Sequence, residues 1–385
     1  MKKSIIFAAL AAAAVAMPSC SSDQDEVLNN GEGIRFTVSA GKQSRAIAVD
    51  NNSINKFHVW AVASNNPGAF FMNTEVTKSG LTWGYSPTKF WPQSNPVNFF
   101  AVSAGTSAGC PDIANITSAV SFSEEEGKKV GMVLNNYTVV PNADLDVLYA
   151  AYYGASKKDG TVPLNFRHAL SQLAFAAKCT NEDLTIRVQS IRVENIKNKG
   201  TLAGPKATTQ NQLLAGNTTT ETGDNWGVWS GQDGSATYTA PFHANTADQA
   251  LTSNLTTYSV KDDKYDGLLV LPQTIEAWDK ESYGSTLKGS RFLIMCQILS
   301  GTEAGKETQI WPKTNGEYAE VAIPVPATTW KQGMRYLYTF VFNTGAGYTP
   351  DPVDPGTKPE PVLKDIKIDV TVDEFQNGGN TDVNM

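Results

Sequence analysis

Apolar and polar residues along this chain alternate in short runs with a period of two, the pattern of strands with one buried face. In IRFTVSA (34–40), Ile34, Phe36, Val38 and Ala40 fall on one face and Arg35, Thr37 and Ser39 on the other. In IKIDVTV (366–372) the same design returns, with Ile366, Ile368, Val370 and Val372 against Lys367, Asp369 and Thr371. Between these two ends the strand candidates are FHVWAVA (57–63), VNFFAVSA (97–104), VLYAAYY (147–153), LAFAAKC (173–179), LTIRVQSIRVENI (184–196), LLVLPQ (268–273), FLIMCQIL (292–299), AEVAIPV (319–325) and RYLYTFVF (335–342). The connecting segments are rich in Asn, Thr, Gly and Ser, most of all over 200–225, and helical periodicity is scarce. The pattern predicts an all-β fold of sandwich type.

With 385 residues and 41% hydrophobic content, the chain has enough apolar material for two cores. The polar stretch GASKKDGT (154–161) predicts the boundary, giving an amino-terminal sandwich over 34–157 and a carboxyl-terminal one over 158–343. From 344 to 362 five prolines, Pro350, Pro352, Pro355, Pro359 and Pro361, remove backbone donors and predict an extended tether. Residues 363–385 then carry the last candidate strand. In polyproline conformation, roughly sixteen residues of it at ~3.1 Å each span about 50 Å, the width of the body it hangs from.

Residues 1–19 read as an export signal: Lys2 and Lys3, an apolar run too short to span a bilayer, then Cys20. The stretch that follows, up to residue 33, is a polar, acidic linker. The arrangement resembles a bacterial lipoprotein signal, which implies a lipid on Cys20 and attachment to the outer membrane at the cell surface. Cys110, Cys179 and Cys296 are too few and too scattered for a disulfide framework or a zinc site and read as small buried residues.

A net charge of −7 argues against nucleic acid as a partner. Catalysis finds little footing. Gly105-Thr106-Ser107-Ala108-Gly109 has the G-x-S-x-G pattern, but Cys110-Pro111-Asp112 follows where a helix is needed, so it reads as a turn. His58, His168 and His243 stand far apart, and no metal-ligand spacing or cofactor motif is present. His168 reads as a hydrogen-bonded core histidine, and the acidic pairs, Asp144 and Asp146 among them, as solvated loop charges. Trp226 and Trp229, in GDNWGVWSGQDG (223–234), are candidates for stacking on sugar rings or for packing under a loop.

The segments FHVWAV, KFWPQSNPVNFFAVS, DLDVLYA, VPLNFRHALSQLAFAAK, LLVLPQ and TTWKQGMRYLYTF occur in the order that resembles the fimbrillin family of Bacteroidetes lipoproteins. The resemblance implies two tandem transthyretin-like β-sandwich domains and a structural, adhesive role in type V pili. It also implies assembly by strand exchange with other pilin subunits. An arginine-directed protease would cut at Arg45-Ala46, in GKQSRAIA, removing the strand that carries Ile34, Phe36, Val38 and Ala40. The strand carrying Ile366, Ile368, Val370 and Val372 would then fill a neighbour's groove. Two other readings stay open: the last strand pairs with its own sheet, or the chain is an anchor or monomeric surface lipoprotein that binds a glycan or host protein.

Overall fold

The computed structural model describes residues 33–40, 54–105, 113–143, 145–206, 227–242, 249–258, 267–301, 305–343, 345–352, 357–363 and 367–374, with 209, 260–261, 264–265 and 303. Among them the fold is all-β, and helix is limited to Ala114–Ala119 and two single 3-10 turns. Every strand predicted between the two ends forms.

A seven-stranded sheet is assembled in the order Arg35–Ala40, Thr161–His168, Asp146–Ala155, Val97–Gly105, Lys56–Ala63, Met72–Ser79, Thr82–Gly84. Its central strands are buried on both faces, which is why they read as nearly unbroken apolar runs. Phe57, Val59 and Ala61 point into a core with Phe99, Trp91 and Phe166. Trp60 and Val62, on the opposite face, join a larger core that continues through Phe175, Ile191, Phe292 and Tyr338.

That larger core is enclosed by three further sheets. One pairs Ser171–Cys179 with Met334–Phe342 in parallel and adds Lys367–Glu374 at its edge. A second is built on Leu184–Ile196 and Arg291–Ser300. The third joins Val120–Glu125 and Lys128–Thr138 to Lys199–Lys206 and Val228–Asp233, and so draws strands from both sides of the 157/158 boundary.

The structure changes sheets later than the sequence boundary implies. GASKKDGT is a hairpin connection, closed by the 3-10 turn Lys157–Asp159 with Ser156 and Asp159 capping one another. The strands it joins lie side by side in the first sheet. The chain passes to the second sheet at Ala169 and Leu170, both fully buried, so no polar linker advertises the crossing. Lys199–Lys206, which runs from one residue before the stretch read as loop into it, also forms a strand whose glycines hide its pattern.

Candidate functional site

The two terminal strands occupy the edges of two different sheets, and they are held very differently. Arg35–Ala40 runs parallel to Thr161–His168, with Phe36 opposite Val162 and Val38 opposite Leu164. Ile34 and Phe36 are only 2% and 5% exposed. The Phe36 ring meets Phe57, Phe99 and Tyr85 edge-on at 5.5 to 5.9 Å between centroids, a favourable aromatic geometry. The Tyr85 hydroxyl donates to Ile34 O at 2.9 Å, and burial pushes its pKa up, so it remains a donor. Ile34 N–H in turn donates to Lys89 O. This strand plugs a slot in the core. The Ala40 side chain lies outside the described positions.

Lys367–Glu374 lies antiparallel to Met334–Phe342, with Ile368 opposite Phe340, Val370 opposite Tyr338 and Val372 opposite Tyr336. Here the strand pairs with its own sheet, as one of the open sequence readings expected. Its three apolar side chains touch the large core but are only half-buried. On the opposite face Arg335 forms an ion pair with Asp373 directly across the ladder. The strand covers an edge rather than filling a slot. Ile366 lies outside the described residues.

Burial raises the Asp373 carboxyl above the ordinary aspartate range, and Arg335 only partly offsets this. A carboxyl raised on docking favours the docked strand fully below the ordinary range, and that contribution is lost as pH rises through the raised value. The strand is therefore expected to hold more firmly at mildly acid than at neutral pH. Amide peak intensities of residues 367–374 across that window check this, and weakening on acidification would contradict it.

The proline-rich tether is not extended. Its described parts fold back on each other: Ala346 N–H donates to Val362 O, Val362 N–H to Gly347 O, and Thr349 N–H to Glu360 O. Tyr348 and Ala322 exchange two backbone bonds of 2.9 and 2.7 Å, tying this strap to the Ala319–Pro324 strand. Gly347 has φ +99°, and a Cβ there would lie 2.7 Å from Ala322 O, so close approach demands glycine. Arg291, buried, donates to Pro350 O and Glu194 Oε2 and stacks over Trp278, while Lys280 sits 4.1 Å above the Tyr348 ring. The composition suggested polyproline, yet among the described residues Pro350, Pro352, Pro359 and Pro361 stand where no donor is required and Ala346 to Thr349 supply bonds. In this form the span of about 50 Å does not apply. Arg291→Ala is expected to cost about 3 kcal/mol by leaving Glu194 unpaired and freeing Pro350. Faster proteolysis near 351–358 would report it.

The remaining sequence candidates separate cleanly. Cys20, Arg45, Ala46, Ser107, Cys110, Trp226 and His243 lie outside the described residues. Trp229 is no open stacking platform: it is 7% exposed and its indole N–H donates to Ala169 O at 2.7 Å. His58 bonds Asn73 across the first sheet. His168 Nδ1 lies 2.5 Å from Asp146 Oδ2, both side chains buried, so Asp146 is a core partner and not the solvated loop charge its neighbourhood suggested. Cys179 and Cys296 are free and buried, and burial pushes the Cys296 thiol up to about 12. Among the described residues no cluster of metal-ligating side chains occurs. Sequence reading missed Tyr85, Arg291, Arg335 and Asp373. Asp373 alone carried a signal, extending the polar face of the last strand by one step.

Comparison with known proteins agrees with this architecture. The family model described as fimbrillin-like matches residues 44–372. No curated protein sequence matches the chain. Among solved structures, a fimbrial protein of Bacteroides vulgatus shares 15% identity and a TM-score of 0.55, over 89% of this chain and 99% of that one. A tip fimbrial protein of Porphyromonas gingivalis, truncated at its carboxyl end, has 10% identity and a TM-score of 0.34, over 88% and 98% of the two chains. The match spans most of the sequence and both cores, and the chain belongs to the fimbrillin-like family.

Proposed function

We propose that this chain is a structural subunit of a cell-surface fimbria, joined to its neighbours through its two end strands and serving adhesion rather than catalysis. The observation that carries the reading is the contrast between those strands. The first fills a slot with Ile34 and Phe36 buried and Val38 half-buried, and the last rests on an edge with Ile368, Val370 and Val372 all only half-buried. A slot emptied of Arg35–Ala40 would expose Phe57, Phe99 and the unpaired edge of Thr161–His168, and it would accept another strand of the same alternation. Lys367–Glu374 has that alternation and can leave its own sheet at lower cost. Head-to-tail transfer between copies is heterologous and does not close, so it builds filaments.

In this account Cys20 carries lipid and delivers the precursor to the outer membrane, and cleavage at Arg45-Ala46 opens the slot. The family match begins at residue 44, so the strand to be removed lies outside the matched body. A chain that keeps Arg35–Ala40 has its slot filled; it donates without accepting and serves as an anchor. The tandem transthyretin-like sandwiches implied by the family remain part of this reading.

Truncation after Val362 tests it. Half-burial of three aliphatic side chains is worth roughly 2 to 5 kcal/mol, so the truncated monomer is expected to stay folded but fail to polymerise. A truncated chain that unfolds, or one that still polymerises, would overturn the proposal.

A further inference from the structure

Within the slot filled by the first strand, one site is shaped for a ring. Phe36 is 5% exposed, and Phe57, Phe99 and Tyr85 meet it edge-on. Each wall is held by partners outside the strand. Phe57 lies 5.1 Å from Trp83 and 5.6 Å from Phe166, Phe99 lies 6.2 Å from Trp91, and the Tyr85 hydroxyl donates to Lys89 O at 3.3 Å. Walls fixed in this way do not close around a smaller side chain, so an occupant without a ring leaves a void.

We propose that this site selects the incoming strand, and that the preferred donor is a different subunit whose strand carries phenylalanine there, rather than a second copy of this chain. The inference rests on the strand-exchange reading and names the partner within it.

Laid along the slot in the direction of Arg35–Ala40, the chain's own last strand matches well elsewhere. Ile366 takes the place of Ile34, Lys367 of Arg35 and Val370 of Val38. Thr371 takes the place of Ser39, whose hydroxyl donates to Asn165 Oδ1 at 3.1 Å, and keeps a hydroxyl there. The Phe36 site receives Ile368. Sliding the strand by two residues either way brings Ile366 or Val370 to it, and again no ring. Phe375 is the one aromatic residue in the sequence beyond Tyr348, and it has the wrong parity. Setting it in the site would bring Asp373 to the Ile34 position and Asn377 to the Val38 position, burying a carboxylate and an amide among hydrocarbon. A strand with an aliphatic, an aromatic and a β-branched residue at alternate positions fits all three sites.

The test uses the full chain in two comparisons. In the first, Arg35→Lys, Thr37→Asp, Ser39→Thr and Ala40→Val give the first strand the sequence of the last except at Phe36, and a second chain adds Phe36→Ile to complete it. Urea unfolding is expected to show a folding equilibrium constant about tenfold or more lower once Phe36→Ile is added. Should both chains fail to fold, Phe36→Ile alone against the unchanged chain gives the same comparison. Equal stability within the pair that folds would overturn the proposal. In the second, polymer formed by the Ile368→Phe chain is expected to dissociate in warm detergent about tenfold or more slowly than polymer of the unchanged chain. Equal rates would overturn the preference alone, whereas polymer from neither chain would sink the assembly reading and the choice of partner with it.

Discussion

A chain that begins at Ala46 and receives no replacement strand is expected to lose most of its stability. Fully burying a side chain such as Ile34 or Phe36 is worth ~1.5 to 3 kcal/mol, and the half-buried Val38 adds about 1, so the loss is roughly 4 to 7 kcal/mol. Domains commonly retain only ~5 to 15 kcal/mol in total, so the cut monomer should be marginal or partly unfolded in water. A synthetic peptide of residues 363–376 is expected to restore it in a concentration-dependent way, since a ligand that binds only the folded form stabilises by mass action. Urea midpoints with and without peptide measure both effects. An Ala46 chain as stable as the full one would mean that the first strand is only a covering.

His168→Ala should be the most damaging single substitution. It leaves the Asp146 carboxylate, 1% exposed, without the partner now 2.5 Å away, and Asp146 Oδ1 already lacks a hydrogen bond among the described residues. Removing one member of a buried pair costs about 3 to 5 kcal/mol. Replacing both residues by leucine should recover much of that, because no buried charge is then stranded. The pair sits where the first sheet hands over to Ala169 and Leu170, so its loss should loosen the junction rather than a strand end. Thermal unfolding of the single and double variants gives the comparison; a double variant no better than the single would show that the pair contributes specific attraction beyond avoided desolvation.

What the sequence made legible follows from burial. Strands sealed on both faces, such as Val97–Gly105 and Arg291–Ser300, carry continuous apolar runs and could be placed to within a residue or two. Met72–Ser79 could not, because only Met72 and Val76 are buried in a run of polar residues. Parallel pairings are also invisible, since Arg35–Ala40 finds Thr161–His168 across more than a hundred residues with no local mark. Composition misled twice. Prolines suggested a leash where backbone bonds make a folded strap, and a polar loop suggested a domain boundary where it only turns a hairpin. The candidate site was half legible: the alternation of both end strands stood in the sequence, whereas their unequal burial and the Arg335–Asp373 pair needed the structure.

The strap changes how exchange would proceed. With Val362 bonded to Ala346 and Gly347, the last strand is held close to its own sheet and leaves either over a short arm or after the strap opens. Weakening the strap at Arg291 should therefore lengthen the reach of the strand as well as lower stability.

The most direct measurement is the amino-terminal residue and intact mass of the protein recovered in high-molecular-mass material from the cell surface. A chain starting at Ala46 in that material is the result predicted for a subunit whose slot has been opened and refilled by a neighbour. A chain starting at acylated Cys20, with Arg35–Ala40 retained and no polymer, would contradict the account.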